Sequence, residues 1–150
     1  MQKLKPIEME NRVVLDTNIL VSALIGNSYP KQIIYDCIFN QKIKVCVSPQ
    51  ILKEYNEVLN RPKFDKFKNF KEKALILLKY LEEITEYFEP TFKLDFISDE
   101  ADNRFLELAL TANAQFIVTG NFTDFNFSEY ESIKIVSPKY FYELCCSPIS

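Results

Sequence analysis

The sequence contains no histidine and only two glycines, Gly26 and Gly120, and these absences remove whole classes of chemistry. Ser-His-Asp and Cys-His nucleophile activation and paired-imidazole acid-base catalysis all need an imidazole. Any reaction must therefore run on carboxylates, lysines or hydroxyls. Two isolated glycines build neither a G-x-G-x-x-G turn nor a phosphate-binding P-loop, which argues against a Rossmann-type nucleotide cofactor. The four cysteines, Cys37, Cys46, Cys145 and Cys146, form no C-x-x-C pair, and without histidine the usual zinc-ligand spacings are missing too. They read as reduced cytosolic thiols that pack as small core hydrophobes.

Long apolar runs are missing as well. None approaches the ~20 residues that cross a bilayer, and Met1 to Asn11 is polar rather than a charged start followed by an apolar signal core. A soluble, cytoplasmic protein with no membrane association is expected. At 150 residues and 47% apolar content, one domain spanning residues 1–150 can bury one core. The net charge of -3 gives no overall attraction to nucleic acid, so any such affinity must come from a local basic patch and bound cations.

What is present is an alternation of strand and helix signals. Arg12 to Leu15 is a β-branched run ending at Asp16-Thr17-Asn18, and Ile19 to Ile25 has helical character closing near Gly26. A second helix is predicted from Pro30 through Ile38, then a buried strand over Ile43 to Val47. Ser48-Pro49 opens a helix with Ile51, Leu52, Tyr55, Val58 and Leu59 inside and Glu54 one turn in; Asn60-Arg61-Pro62 ends it. A long helix is predicted over Lys63 to Ile84, and another capped by Ser98, with Asp99, Glu100 and Asp102 in its first turn. Strands over Gln115 to Val118 and Ile133 to Val136 and a helix capped by Ser137 complete the chain. The pattern is that of an α/β domain with a mainly parallel sheet, whose ligand crevice lies beyond the carboxyl ends of the strands.

That rule locates the acids. Asp16 follows the first strand directly, Asn121 and Asp124 follow the fourth, and Glu54 and Asp102 sit at the starts of helices entered from the same edge. Acids in a first helical turn are also common caps, so Glu54 and Asp102 each have a purely structural reading. Asn18, Ser22 and Thr119 are candidates to orient Asp16, or are a turn acceptor, a helix-face filler and a strand-end hydroxyl.

Val14-Leu15-Asp16-Thr17-Asn18-Ile19-Leu20-Val21-Ser22-Ala23-Leu24 resembles the opening motif of PIN-domain proteins. Further matching blocks follow in order: Ser48 to Tyr55 with Glu54, Asp99 to Leu108 with Asp102, and Ile117-Val118-Thr119-Gly120-Asn121. Together they cover nearly the whole chain and resemble bacterial PIN proteins assigned as toxins of toxin-antitoxin pairs. The resemblance implies a three-layer α/β fold with a central sheet of four to five strands flanked by helices. It also implies Asp16, Glu54 and Asp102 as the acids that bind Mg²⁺ or Mn²⁺, phosphodiester hydrolysis, usually of RNA, and an antitoxin partner; a homodimer is compatible with it, the sequence leaving the oligomeric state open. Where the family usually places a fourth acid, directly after Thr-Gly, this chain has Asn121, and Asp124 stands three residues on as the alternative catalytic acid. Mg²⁺ favours a few carboxylates plus water and phosphate oxygens, chemistry that needs no histidine.

Between Arg61 and Lys73, Lys66, Lys68 and Lys71 alternate with Phe64, Phe67 and Phe70. The lysines are candidate phosphate contacts; the threefold spacing of the aromatics reads as one buried helix face rather than a stacking platform. Two other functions compete. A haloacid-dehalogenase-like phosphatase would use Asp16 as nucleophile, but Asn18 stands where its second acid belongs. A degenerate PIN domain would bind nucleic acid or a protein without cleaving.

Overall fold

Val13, Val14 and Leu15 are completely buried, as a strand covered on both faces must be, and they form the centre of the sheet. The computed structural model describes residues 11–40, 42–121 and 128–146. The strands are β1 (Arg12–Leu15), β2 (Lys44–Val47), β3 (Glu86–Tyr87), β4 (Phe116–Val118), β5 (Glu129–Tyr130) and β6 (Ile133–Val136), in the order β3-β2-β1-β4-β6-β5. All neighbours pair in parallel except β5, which runs antiparallel to β6 at the edge. The sheet is thus the expected parallel one, lengthened by the two-residue edge strands β3 and β5.

The strand order fixes where a ligand can sit. From β1 the chain builds outward through β2 and β3, then crosses back to lay β4 on the other side of β1 and β6 beyond it. The β1/β4 boundary is where the winding reverses, the position at which open α/β sheets hold their ligand crevice. Helices α1 (Thr17–Ile25), α2 (Tyr29–Gln32), α3 (Pro49–Leu59), α4 (Phe70–Ile84), α5 (Glu100–Ala112) and α6 (Pro138–Phe141) cover the sheet, with α5 packed on β1, β2 and β4. Ser48 caps α3 by accepting the Ile51 N–H at 3.2 Å, and α4 buries Phe70, Ala74, Leu77, Leu78 and Leu81 at helical spacing. No described helix is long and apolar enough to cross a membrane.

Four local features depart from the sequence pattern. Where that pattern predicts one helix from Lys63 to Ile84, Pro62–Phe64 is a 3₁₀ turn and α4 begins only at Phe70, after Asn69 in the left-handed region (φ 59°). The reason lies in the phenylalanine spacing: Phe67 N–H bonds to Phe64 O at 3.0 Å and Phe70 N–H to Phe67 O at 3.2 Å, successive i to i+3 turns that also bring every third side chain inward. Phe64 and Phe70 are accordingly core residues, stacked at 4.9 Å. The cap of α5 is Asp99, accepting from Ala101 N–H at 3.0 Å, not Ser98. The Pro30 to Ile38 helix is a short α-helix that widens into a π-helical turn over Ile33–Ile38. Within that turn Cys37 is disulfide-bonded, which corrects the reading of all four cysteines as reduced thiols; Cys46 and Cys145 are free.

Tyr55 of α3, completely buried, donates its hydroxyl to the Leu15 carbonyl at 2.6 Å and so pins α3 to the end of β1. Burial holds its ionisation well above the ordinary tyrosine range, and burial likewise pushes the Cys46 thiol up to about 12. Both groups keep their protons in the folded chain at a pH where the unfolded chain has lost them. The unfolded state then binds fewer protons, so stability should fall as pH rises above about 8.5. Tyr55→Phe should lower stability by about 1–3 kcal/mol at neutral pH through the orphaned carbonyl, yet lose less on going to about pH 10 than the wild type. Urea unfolding at the two pH values reads this, and equal alkaline losses in both proteins would contradict it.

Candidate active site

The crevice at the β1/β4 boundary is lined by polar side chains that strand and helix ends deliver to it. Asp16 takes the residue position before α1 in an extended conformation, and its backbone N–H still bonds to Val118 O at 2.9 Å. Its carboxylate does not cap α1. Instead Oδ2 accepts the Thr119 hydroxyl at 2.6 Å and the Asn18 amide at 3.2 Å. Asn18 Oδ1 in turn accepts the Gly120 N–H at 3.3 Å, and Thr119 Oγ1 accepts the Asn121 N–H at 3.1 Å. The turns after β1 and β4 are therefore knitted together through the Asp16 side chain, with Asp16 only 7% exposed and Thr119 fully buried.

Glu54 reaches the same crevice from α3. The Thr17 hydroxyl donates to its Oε2, fixing the carboxylate over the start of α1. Its pKa is raised, first by burial and then by the negative charges of Asp16 and Asp99, while the Thr17 hydrogen bond and the Arg61 guanidinium pull the other way. Asp102 lies in the first turn of α5 and is 7% exposed. With Ser48 capping α3 and Asp99 capping α5, neither Glu54 nor Asp102 holds the capping duty that its position suggests.

The structure thus links Asp16, Asn18, Thr119 and Asn121 by direct hydrogen bonds and Glu54 to Asp16 through space. Ser22 sits half-buried on α1, giving its carbonyl to the Gly26 N–H at 2.9 Å and making no side-chain hydrogen bond among the described residues. Lys66, Lys68 and Lys71 are exposed; Lys66 lies over the Phe67 ring at 5.4 Å and Lys71 pairs with Asp65 at 3.6 Å. Asp124 lies outside the described residues. Three residues enter the site that the motif reading did not single out for it: Thr17, Asp99 and Arg61. Arg61 lies beyond the end of α3 in extended backbone, so helical spacing from Glu54 does not place it and nothing in the sequence pattern signals it.

Whether these residues suit a divalent cation is decided by donor chemistry. Carboxylate oxygens are the ligands that hard cations such as Mg²⁺ and Mn²⁺ prefer, and Glu54 is held next to other negative charge with Arg61 as the cation that offsets it. A bound cation would relieve that repulsion, so the donor set fits. Among the described residues, no three Asp, Glu or Cys side chains stand close enough to share one ion as the chain is folded here.

The model of the PIN domain family matches residues 12–123. A protein of Methanocaldococcus jannaschii described as uncharacterized, MJ1680, is 34% identical over 122 residues, covering 81% of this chain and 76% of that protein. Among solved structures, that of VapBC2 from Rickettsia felis bound to a DNA fragment from their promoter superposes with a TM-score of 0.54 at 19% identity. That match covers 84% of this chain and 98% of the other, and it speaks for the fold.

The electrostatics of Glu54 carry a test that needs no ligand. Below about pH 4.3 its carboxyl is protonated in folded and unfolded chains alike and contributes nothing. Above its raised folded pKa it is ionised in both, and only the folded state bears the repulsion from Asp16 and Asp99. Glu54→Gln should therefore melt at a higher temperature than the wild type at neutral pH in a chelator, with the gap closing as pH falls through the carboxylate range. A lower melting temperature for the variant at every pH would show that the carboxylates are not in conflict.

Proposed function

The chain belongs to the PIN-domain family, and from that premise we propose that it is a metal-dependent endoribonuclease, the toxin of a toxin-antitoxin pair. The observation that carries the reading is the pair of Asp16 and Glu54 at the switch point of the sheet. Asp16 is aimed by Thr119 and Asn18, and Glu54 is kept at a raised pKa beside it. Asp16, Glu54 and Asp102 would hold Mg²⁺ or Mn²⁺, with Asn121 or Asp124 as the further donor, and the bound ion supplies charge neutralisation and an activated water for phosphodiester hydrolysis.

The chain's own groups do the rest. The Thr119 and Asn18 hydrogen bonds hold the Asp16 carboxylate in one orientation, so no reorganisation is needed when substrate arrives. Thr17 does the same for Glu54. Arg61 is within electrostatic reach of Glu54, and the basic stretch that continues through the exposed Lys66, Lys68 and Lys71 would draw the RNA backbone toward the protein.

The likeness to VapBC2, together with the resemblance to bacterial toxins, supports an antitoxin as protein partner; a homodimer and a cytoplasmic setting complete the proposal. Family membership sets aside the phosphatase reading that would make Asp16 a nucleophile. The non-cleaving, degenerate PIN domain is an outcome of the experiment. Incubated with single-stranded RNA and Mn²⁺, the chain should cleave it, and a chelator should abolish the cleavage. Asp16→Asn should keep the circular-dichroism spectrum and lower the rate by about 100-fold or more, since it removes one charge with little change of shape. Wild-type cleavage by Asp16→Asn, in a preparation free of contaminating ribonuclease, sinks the site; RNA bound but never cut by the wild type identifies the degenerate form.

A further inference from the structure

Beyond β3 the chain runs as an extended strap over residues 88–97, leaving the sheet at the same carboxyl edge as Asp16. It starts beside β2, where Phe88 N–H bonds to Val47 O at 2.9 Å. Its far half is laced to α5. Glu107 accepts the Leu94 N–H at 2.6 Å, and Asn103, fully buried, accepts from Phe96 and Ile97 N–H at 3.0 and 2.8 Å and donates back to Ile97 O at 2.8 Å. The near half is Pro90 to Lys93. Between it, Gln50 of α3, and Arg104 and Glu107 of α5 lies a cavity of about 300 Å³.

Its position relates it to the acids. Gln50 precedes Glu54 by one helical turn, so the two share a face with Cβ atoms about 5–6 Å apart. Two strand spacings separate β3 from β1, about 10 Å. The walls differ from the acidic crevice in character. Arg104 and Glu107 pair at 2.9 Å, their side chains 17% and 5% exposed, so that wall carries no net charge. Arg104 Nε–H is buried without a hydrogen-bond partner among the described residues. Phe92 offers a partly exposed ring, Gln50 an amide with both donors and an acceptor, and Lys93 an exposed cation.

We infer that this cavity is a nucleotide subsite. It takes one base of the single-stranded substrate next to the scissile phosphate, with Phe92 stacking the base, Gln50 reading its edge and Lys93 meeting a phosphate. A flat aromatic face beside a cation is the platform that unpaired bases use, and a side-chain amide matches a base edge that presents donor and acceptor together. The inference rests on the nucleic-acid reading above, and its test is chosen to fail separately from it.

Binding of fluorescein-labelled single-stranded RNA to the full chain is measured by anisotropy in a chelator at low salt, so cleavage plays no part. Phe92→Ala, a change at an exposed position outside the core, should weaken binding about five- to tenfold with an unchanged salt slope. Lys93→Gln should lower the slope of log K against log salt by about 0.7. An abasic nucleotide scanned along the RNA should weaken wild-type binding at one position and have no further effect there on Phe92→Ala. Unaltered binding by Phe92→Ala, an abasic scan without a sensitive position, or no RNA binding by the wild type each overturns the subsite. RNA held through Phe92 but never cut with Mn²⁺ upholds the subsite and sinks the nuclease. Cleavage indifferent to Phe92 does the reverse.

Discussion

The hydrogen bond from Thr119 to Asp16 closes the boundary at which the sheet changes its direction of winding. β1 and β4 are neighbours in the sheet but more than a hundred residues apart in the chain, and the sheet builds outward from them in opposite directions of winding. One buried hydroxyl and one nearly buried carboxylate hold the turns after these strands together, with Asn18 bridging from Asp16 to the Gly120 N–H as a second tie. A carboxylate so placed is fixed in direction by neutral donors. Hydrogen bonds from a hydroxyl and an amide orient a carboxylate and carry no positive charge of their own, which suits a site meant to attract a cation.

The arrangement is unfavourable for the isolated chain. Glu54 is brought out of water and toward Asp16 and Asp99, with Arg61 and the Thr17 hydroxyl as partial compensation. A fold selected for stability alone would place a neutral or apolar residue there, and local rules of this kind are broken where function demands it. The molecule secures the rest of the neighbourhood heavily: Tyr55 pins α3 to β1, and Asn103 and Glu107 lace the strap to α5 beside Asp102. These contacts hold two acid-bearing helices in place against the repulsion.

The parallel sheet and its order of strands and helices were legible because the β-branched runs at Val13 to Leu15, Val45 to Val47 and Ile117 to Val118 are too apolar for anything but strands covered on both faces. Asp16 was legible as the residue that ends the first of them. The segment after Pro62 was not, because Phe64, Phe67 and Phe70 at threefold spacing satisfy a 3₁₀ chain and an α-helix equally, and only the left-handed Asn69 separates them. Asp99 was legible as an acid but not as the cap, since Ser98 beside it is an equally good capping residue and one residue of register decides. The bond between Cys37 and its partner was invisible for a different reason: pairing depends on where the chain brings thiols together, and spacing along the sequence does not record it.

If bringing Asp16 and Glu54 together is what the fold exists to do, the chain should bind a hard divalent cation before any substrate is present. Titration with Mn²⁺, followed by loss of the free-ion paramagnetic resonance signal, tests this directly. The account predicts saturable uptake by the wild type and affinity weakened about tenfold or more in Asp16→Asn, since a charged ligand is replaced by a neutral one. Folded wild-type protein that takes up no Mn²⁺, or an Asp16→Asn variant that takes it up equally well, would contradict it.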